Sequence, residues 1–185
     1  MTVSAVRLLV LGVVRARGEA HGYAVHQELM SWRVDTWTAV KPPSIYHAVK
    51  QLEREGKLSA AGPQASPRGP ARVAYRLTPT GEDEFLALLE AALLSPEIEE
   101  FGAGIANMCS LPRARVRALL EERLRTTEHI DSELGAMKAQ WPDPAAPPHA
   151  QHLLDLWGGV FRAQSAWTVE LLSRLDDFEF SGTDR

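Results

Sequence analysis

The chain has 185 residues, 45% hydrophobic and 24% charged, with a single cysteine and a net charge of −4. That size holds one large domain or a small domain with an extension, and the composition is that of an ordinary water-soluble globular protein. Cys109 alone excludes an internal disulfide and a cysteine-built zinc site, and it suits a reducing cytoplasm. The charge is unevenly placed. Residues 1–81 carry 11 Lys/Arg against 5 Asp/Glu, and residues 82–185 carry 9 against 19. Two readings of this asymmetry stay open together: a basic working surface joined to an acidic part employed differently, and acidic helices that are simply solvated.

In chain order, residues 4–17 predict a first helix, with Val6, Leu8, Leu9, Leu11, Val13 and Val14 too apolar to leave any side open. Its apolar core is short and flanked by Arg7, Arg15 and Arg17, with no small-residue cleavage site after it. It therefore reads as a buried helix and not a secretion signal. No segment reaches the roughly 20 apolar residues of a membrane span. "GYAVHQELMSW" predicts a second helix that packs through Tyr23, Val25 and Leu29, and "RVDTWTAVKPP" a linker. A third helix starts near Ser44. At 100° per residue its Ile45, Ala48, Val49 and Leu52 share one face, while His47, Lys50 and Arg54 point away and Tyr46, Gln51 and Ser44 lie on the flanks. Gly56 ends it. "KLSAAG" and "ARVAYRLT" predict two short strands, the second with Val73, Tyr75 and Leu77 inward, joined by the Pro/Gly/Ser-rich "PQASPRGP". From Thr80 onward the pattern is helical, broken only at "WPDPAAPPH". The predicted class is mainly α with a small β-hairpin.

Helix, helix, one-sided helix and a hairpin with arginine at its tip form the order of a winged helix-turn-helix. In that architecture the second helix of the pair enters the DNA major groove. Its free face needs groups that reach bases and phosphates, which Ser44, Tyr46, His47, Lys50 and Gln51 supply. The wing needs cations that follow the phosphate backbone, which Arg68 and Arg72 supply.

The segments "HGYAVHQEL", "PPSIYHAVKQLEREGKL" and "RVAYRLTPTGEDEF" resemble the PadR family of bacterial transcriptional regulators. The resemblance spans roughly residues 5–95, and the remainder follows it only in helical pattern. It implies a homodimeric repressor on a palindromic double-stranded DNA operator, with Tyr46 and Lys50 at DNA-contacting positions and Tyr23 in the Gly-Tyr pair of the second helix. It also implies dimerisation through the first helix, hence Leu8, and the C-terminal helices. One departure is Pro43-Ser44, where the family has a small residue before its aliphatic–Tyr pair.

The expected organisation is a DNA-binding domain over residues 1–80 and a helical dimerisation domain over 81–185. In the last helix Leu153, Trp157, Val160, Gln164, Trp167, Leu171 and Leu175 recur at three- and four-residue steps, with Phe161 widening the stripe. Such an apolar stripe calls for a partner helix from a second subunit. Trp157 and Trp167 have two readings, plain dimer core or, by the family resemblance, the wall of a site for a small aromatic effector beside Gly158-Gly159. Two other readings of the whole chain stay open: an effector-independent activator or architectural DNA binder, and a winged-helix protein–protein adaptor. No nucleophile–base pair, cofactor loop or metal set stands out, so no enzyme is expected. His21 and His26 lack metalloprotease spacing, and His149 and His152 lack a matched ligand set. Glu97, Glu99 and Glu100 suit a helix N-terminus.

Overall fold

The computed structural model describes residues 4–64, 72–141, 147 and 149–181. They form a mainly helical fold with one small antiparallel sheet, in two compact units, Met1–Met108 and Cys109–Arg185.

The first unit is built around helix α1 (Ala5–Arg17), in which every residue from Leu8 to Val14 is buried. An all-round apolar helix must be covered on all sides. The rest of the unit supplies that cover: α2 (Gly22–Ser31), α4 (Pro42–Arg54), α5 (Pro79–Leu94), α6 (Ile98–Asn107) and strand β3 (Arg72–Leu77) all pack on it. Gly12 is what lets α6 come close, because an added Cβ would overlap the Asn107 side chain. The expected linker after α2 contains a single helical turn, α3 (Val34–Trp37). α4 starts earlier than Ser44, with Pro42 and Pro43 in its first positions, where a missing N–H costs nothing. Ile45, Ala48, Val49 and Leu52 are buried as its periodicity requires. Gly56 follows at φ +70°, a left-handed conformation that favours glycine.

The sheet has the order β1-β3-β2, with β1 (Ala20–His21) and β2 (Leu58–Gln64) both antiparallel to the central β3. The predicted alternation along β3 fails at Val73 and Ala74. Val73 is 44% exposed, whereas Ala74 and Tyr75 on successive positions are both buried. A bulge between Ala60 and Gly62 and the short β1, which sequence periodicity cannot show, place β3 in the middle of the sheet. Thr78 joins the sheet to α5: its hydroxyl donates to Gly56 O (2.7 Å) and accepts from Gly81 N (3.1 Å), capping the helix.

In the second unit α7 (Arg113–Gln140) and α8 (Ala150–Ser173) run antiparallel, joined by side-chain pairs spaced along both helices. Arg162 Nη1 donates to Asp131 Oδ1 (2.6 Å), the Thr127 and Ser165 hydroxyls meet at 2.8 Å, and Lys138 pairs with Asp155. The contact between them is unexpectedly polar at its centre. Arg123 is fully buried and donates to Thr168 Oγ1 (3.0 Å) and to Gln164 Oε1. Burial pushes its guanidinium down to about 10. The face α8 turns to α7 therefore carries Gly158, Gln164 and Thr168, not the apolar stripe as a whole. The expected functional boundary at residue 80 lies inside the first compact unit, since α5 and α6 fold back onto α1. Among the described residues no helix is long and apolar enough to cross a membrane.

Candidate nucleic-acid interface

With its buried face on the first unit, α4 leaves Tyr46, His47, Lys50 and Arg54 exposed along the opposite side. Tyr46 is 41% exposed, and its ring packs against Gly22 and lies 5.8 Å from that of His26. A Cβ at Gly22 would come within 3.2 Å of the Tyr46 ring, which would have to shift by a few tenths of an ångström to accept it. Tyr23, one residue on, is 45% exposed, so it faces outward and does not pack inward as its helical phase suggested. His21 caps α2, its Nδ1 accepting from Ala24 N at 2.9 Å. Together His21, Gly22, Tyr23, Tyr46, Val49, Lys50, Val73 and Tyr75 line an open groove of about 460 Å³ where α2, α4 and β3 meet.

Lys50 is the cation of this groove. Its Nζ donates to Tyr75 Oη (2.8 Å) and to Glu53 Oε2 (3.1 Å), and lies 5.5 Å from the centre of the Tyr75 ring. The Tyr75 hydroxyl in turn donates to Glu53 Oε2 (3.2 Å). The hydrogen bond to Tyr75, then the one to Glu53, holds the Lys50 ammonium above its ordinary value. Two of the expected DNA-facing side chains have local work instead. Ser44 Oγ accepts from Lys41 N (3.1 Å) and donates to Lys41 O (2.7 Å), fixing the first turn of α4. Gln51 Nε2 donates to Glu55 Oε1 (2.8 Å) along the helix. Arg68 lies outside the described residues. Arg72 pairs with Gln64 at the start of β3, and its side chain is likewise outside what is described. The sequence reading missed Val73 and Glu53 as members of this surface. Val73 gave no signal, whereas Glu53, three residues after Lys50, had the spacing of a helical ion pair.

The residues expected at a subunit seam divide in two. Leu8 and Leu175 are fully buried and Leu171 is 8% exposed, so the chain itself already covers them. Leu153, Trp157 and Trp167 are 51%, 53% and 45% exposed, with Val160 and Phe161 half-buried, and Leu156 and Val169 belong to the same exposed set. Gly158 is explained by α7: a Cβ there would meet Asp131 Oδ1 and Arg162 Nη1 at 3.0 Å, so it spaces the helix pair. Glu99 accepts from Ala39 N (3.0 Å) and the buried Glu100 from Ser95 Oγ (2.7 Å), both holding local backbone and helix starts. Burial pushes the Cys109 thiol up, away from the reactive thiolate. Among the described residues no group of three His, Cys, Asp or Glu gathers as a metal would require.

No curated protein sequence matches the chain significantly. Among solved structures, Bacillus subtilis PadR in complex with operator DNA is similar at 21% identity, covering 94% of this chain and 100% of that one, with a TM-score of 0.42. The same protein in complex with p-coumaric acid matches at 21% identity over 94% and 99%, TM-score 0.36. The PadR-like transcriptional regulator BC1756 from Bacillus cereus matches at 18% over 93% and 98%, TM-score 0.38. The sequence profile described as the transcriptional regulator PadR-like family matches residues 10–87. That span, a little under half of the chain, runs from α1 through the helix-turn-helix and the sheet into α5, and over it the chain is similar to the PadR-like transcriptional regulators.

Proposed function

We propose that this protein is a DNA-binding transcriptional repressor that acts as a homodimer on a palindromic operator and is released by a small aromatic effector. The observation that carries the DNA-binding face is the division of α4. Its apolar residues are buried, and Tyr46, His47, Lys50 and Arg54 stand exposed beside a groove open to a nucleic-acid backbone. The cationic head of Lys50 suits a phosphate or a guanine edge, and the apolar walls formed by Tyr23, Tyr46 and Val73 suit a thymine methyl or a sugar. Residues 1–80 form the DNA-binding part and 81–185 the dimerising part, with Leu153, Leu156, Trp157 and Trp167 forming the surface a second copy covers. Two-fold pairing sets the two copies of α4 roughly 34 Å apart, one turn of DNA. An effector held beside Trp157 or Trp167 releases the operator by changing that spacing, because both half-sites must be engaged together.

The test is a fluorescence-anisotropy titration with duplex DNA from upstream of the protein's own gene, at two salt concentrations. Tight, salt-sensitive binding that random competitor DNA does not displace is expected, followed by effector screening through tryptophan quenching. Weak binding indifferent to sequence would overturn the regulatory reading in favour of a protein-facing basic surface.

A further inference from the structure

Glu53 places a carboxylate on the helix face that the proposed function brings to a polyanion, beside the cation that face needs. The placement is not explained by helix stability. A lysine three residues before a glutamate is in the less favourable order for the helix dipole, and an exposed pair of this kind contributes only tenths of a kcal/mol. What makes the arrangement specific is Tyr75, a residue of the central strand with 3% exposure whose hydroxyl completes a closed triangle with Lys50 and Glu53. The side chain of Lys50 is 64% exposed and that of Glu53 32%, so the cation is reachable from solvent while its carboxylate partner is set back.

The triangle can open without stranding a group. When Lys50 leaves, the Tyr75 hydroxyl still donates to Glu53, and the carboxylate keeps that hydrogen bond. Taking Lys50 away therefore exchanges the acceptors around one ammonium and separates it from one carboxylate. A phosphate passing at random must compete with a fixed carboxylate and a hydroxyl already in place. A site that holds a phosphate or a guanine edge in register wins that exchange.

Resting on the DNA-binding reading, we propose that Glu53 is a specificity-determining residue. It withholds Lys50 from non-specific DNA and releases it only to a correctly placed acceptor, with Tyr75 as the positioning residue that holds the pair. In non-specific complexes of the wild type Lys50 stays on Glu53, and in the specific complex it moves to the DNA.

The experiment compares the full-length wild type with Glu53→Gln and Tyr75→Phe, both near-isosteric. The probes are a random-sequence duplex and the best duplex the wild type recovers from a randomised library, each titrated across a salt series. For Glu53→Gln the log–log salt slope on random DNA should steepen by about 0.9, one added phosphate contact, while the slope on the selected duplex stays unchanged. Affinity for random DNA should rise severalfold and the specificity ratio fall by the same factor. Tyr75→Phe should move in the same direction by less, and thermal melts confirm that each variant is folded. Unchanged slopes on random DNA in both folded variants would overturn the gate, as would equal steepening on both duplexes, which marks a simple charge effect. If the wild type itself binds neither probe or selects no sequence, the DNA-binding reading falls first, and the gate falls with it.

Discussion

Gly12→Ala isolates how α1 and α6 are fitted together. In the middle of an exposed helix this change would stabilise by about 1 kcal/mol. Here the new methyl would overlap Asn107, which is 8% exposed and donates through Nδ2 to Ala103 O at 3.0 Å. Turning the amide aside leaves a buried donor unmade, at about 1–3 kcal/mol, and pushing the helices apart adds about 1–3 kcal/mol more. The net expectation is a loss of about 3 kcal/mol, which for a chain of this size lowers Tm by about 6–12 °C. Urea unfolding followed by tryptophan fluorescence and circular dichroism, at one fixed protein concentration, measures it. The companion Asn107→Ala removes the obstacle, so adding Gly12→Ala to it should be neutral or stabilising, a coupling of at least about 1 kcal/mol. A Gly12→Ala protein as stable as the wild type would refute the reasoning. So would a penalty that persists undiminished in the Asn107→Ala background.

Lys50→Ala should leave the melting temperature and oligomeric state unchanged and reduce the salt slope on selected DNA by about 0.9, read by anisotropy. Tyr46→Ala should weaken the same complex while the chain remains folded by circular dichroism. Trp157→Glu should shift sedimentation toward the monomer. Leu171→Glu, which puts a charge at a position only 8% exposed, should lower the melting temperature rather than only separate two intact copies. The Glu55 carboxyl is held below its ordinary value of 4.5, first by the hydrogen bond from Arg7 Nη2 (2.5 Å) and then by that from Gln51. A depressed carboxylate contributes stability above its unfolded value, and that contribution is lost as the pH falls through the folded one. Denaturation midpoints should therefore drop on acidification below about pH 4.5, and Arg7→Leu should flatten that part of the drop.

The division of α4 was legible in the sequence because a one-sided helix has one solution: Ile45, Ala48, Val49 and Leu52 go inside and the other face is free. The same logic fails along β3. A two-residue strand at Ala20–His21 and a bulge opposite Ala74 decide which side chains are covered, and neither has a periodic signature. Ser44, Gln51 and Lys50 show a different gap. Residue type and helical phase announce groups able to bind DNA, but not whether a neighbour already occupies them, and here Lys41, Glu55 and Glu53 do.

The last helix carries this furthest. Its apolar positions fill more of its circumference than one neighbour can cover, which the spacing of Leu153, Trp157, Trp167 and Leu171 announces without saying which side is which. The inner side carries Gly158, Gln164 and Thr168, because α7 brings a buried Arg123 and the Asp131 carboxylate that pairs with Arg162 of α8, groups that need hydrogen-bonding partners and close approach. The large side chains are thereby turned outward. The proposed homodimer would cover an apolar helix face of this kind, and on that proposal the polar seam and the exposed tryptophans are two consequences of one arrangement.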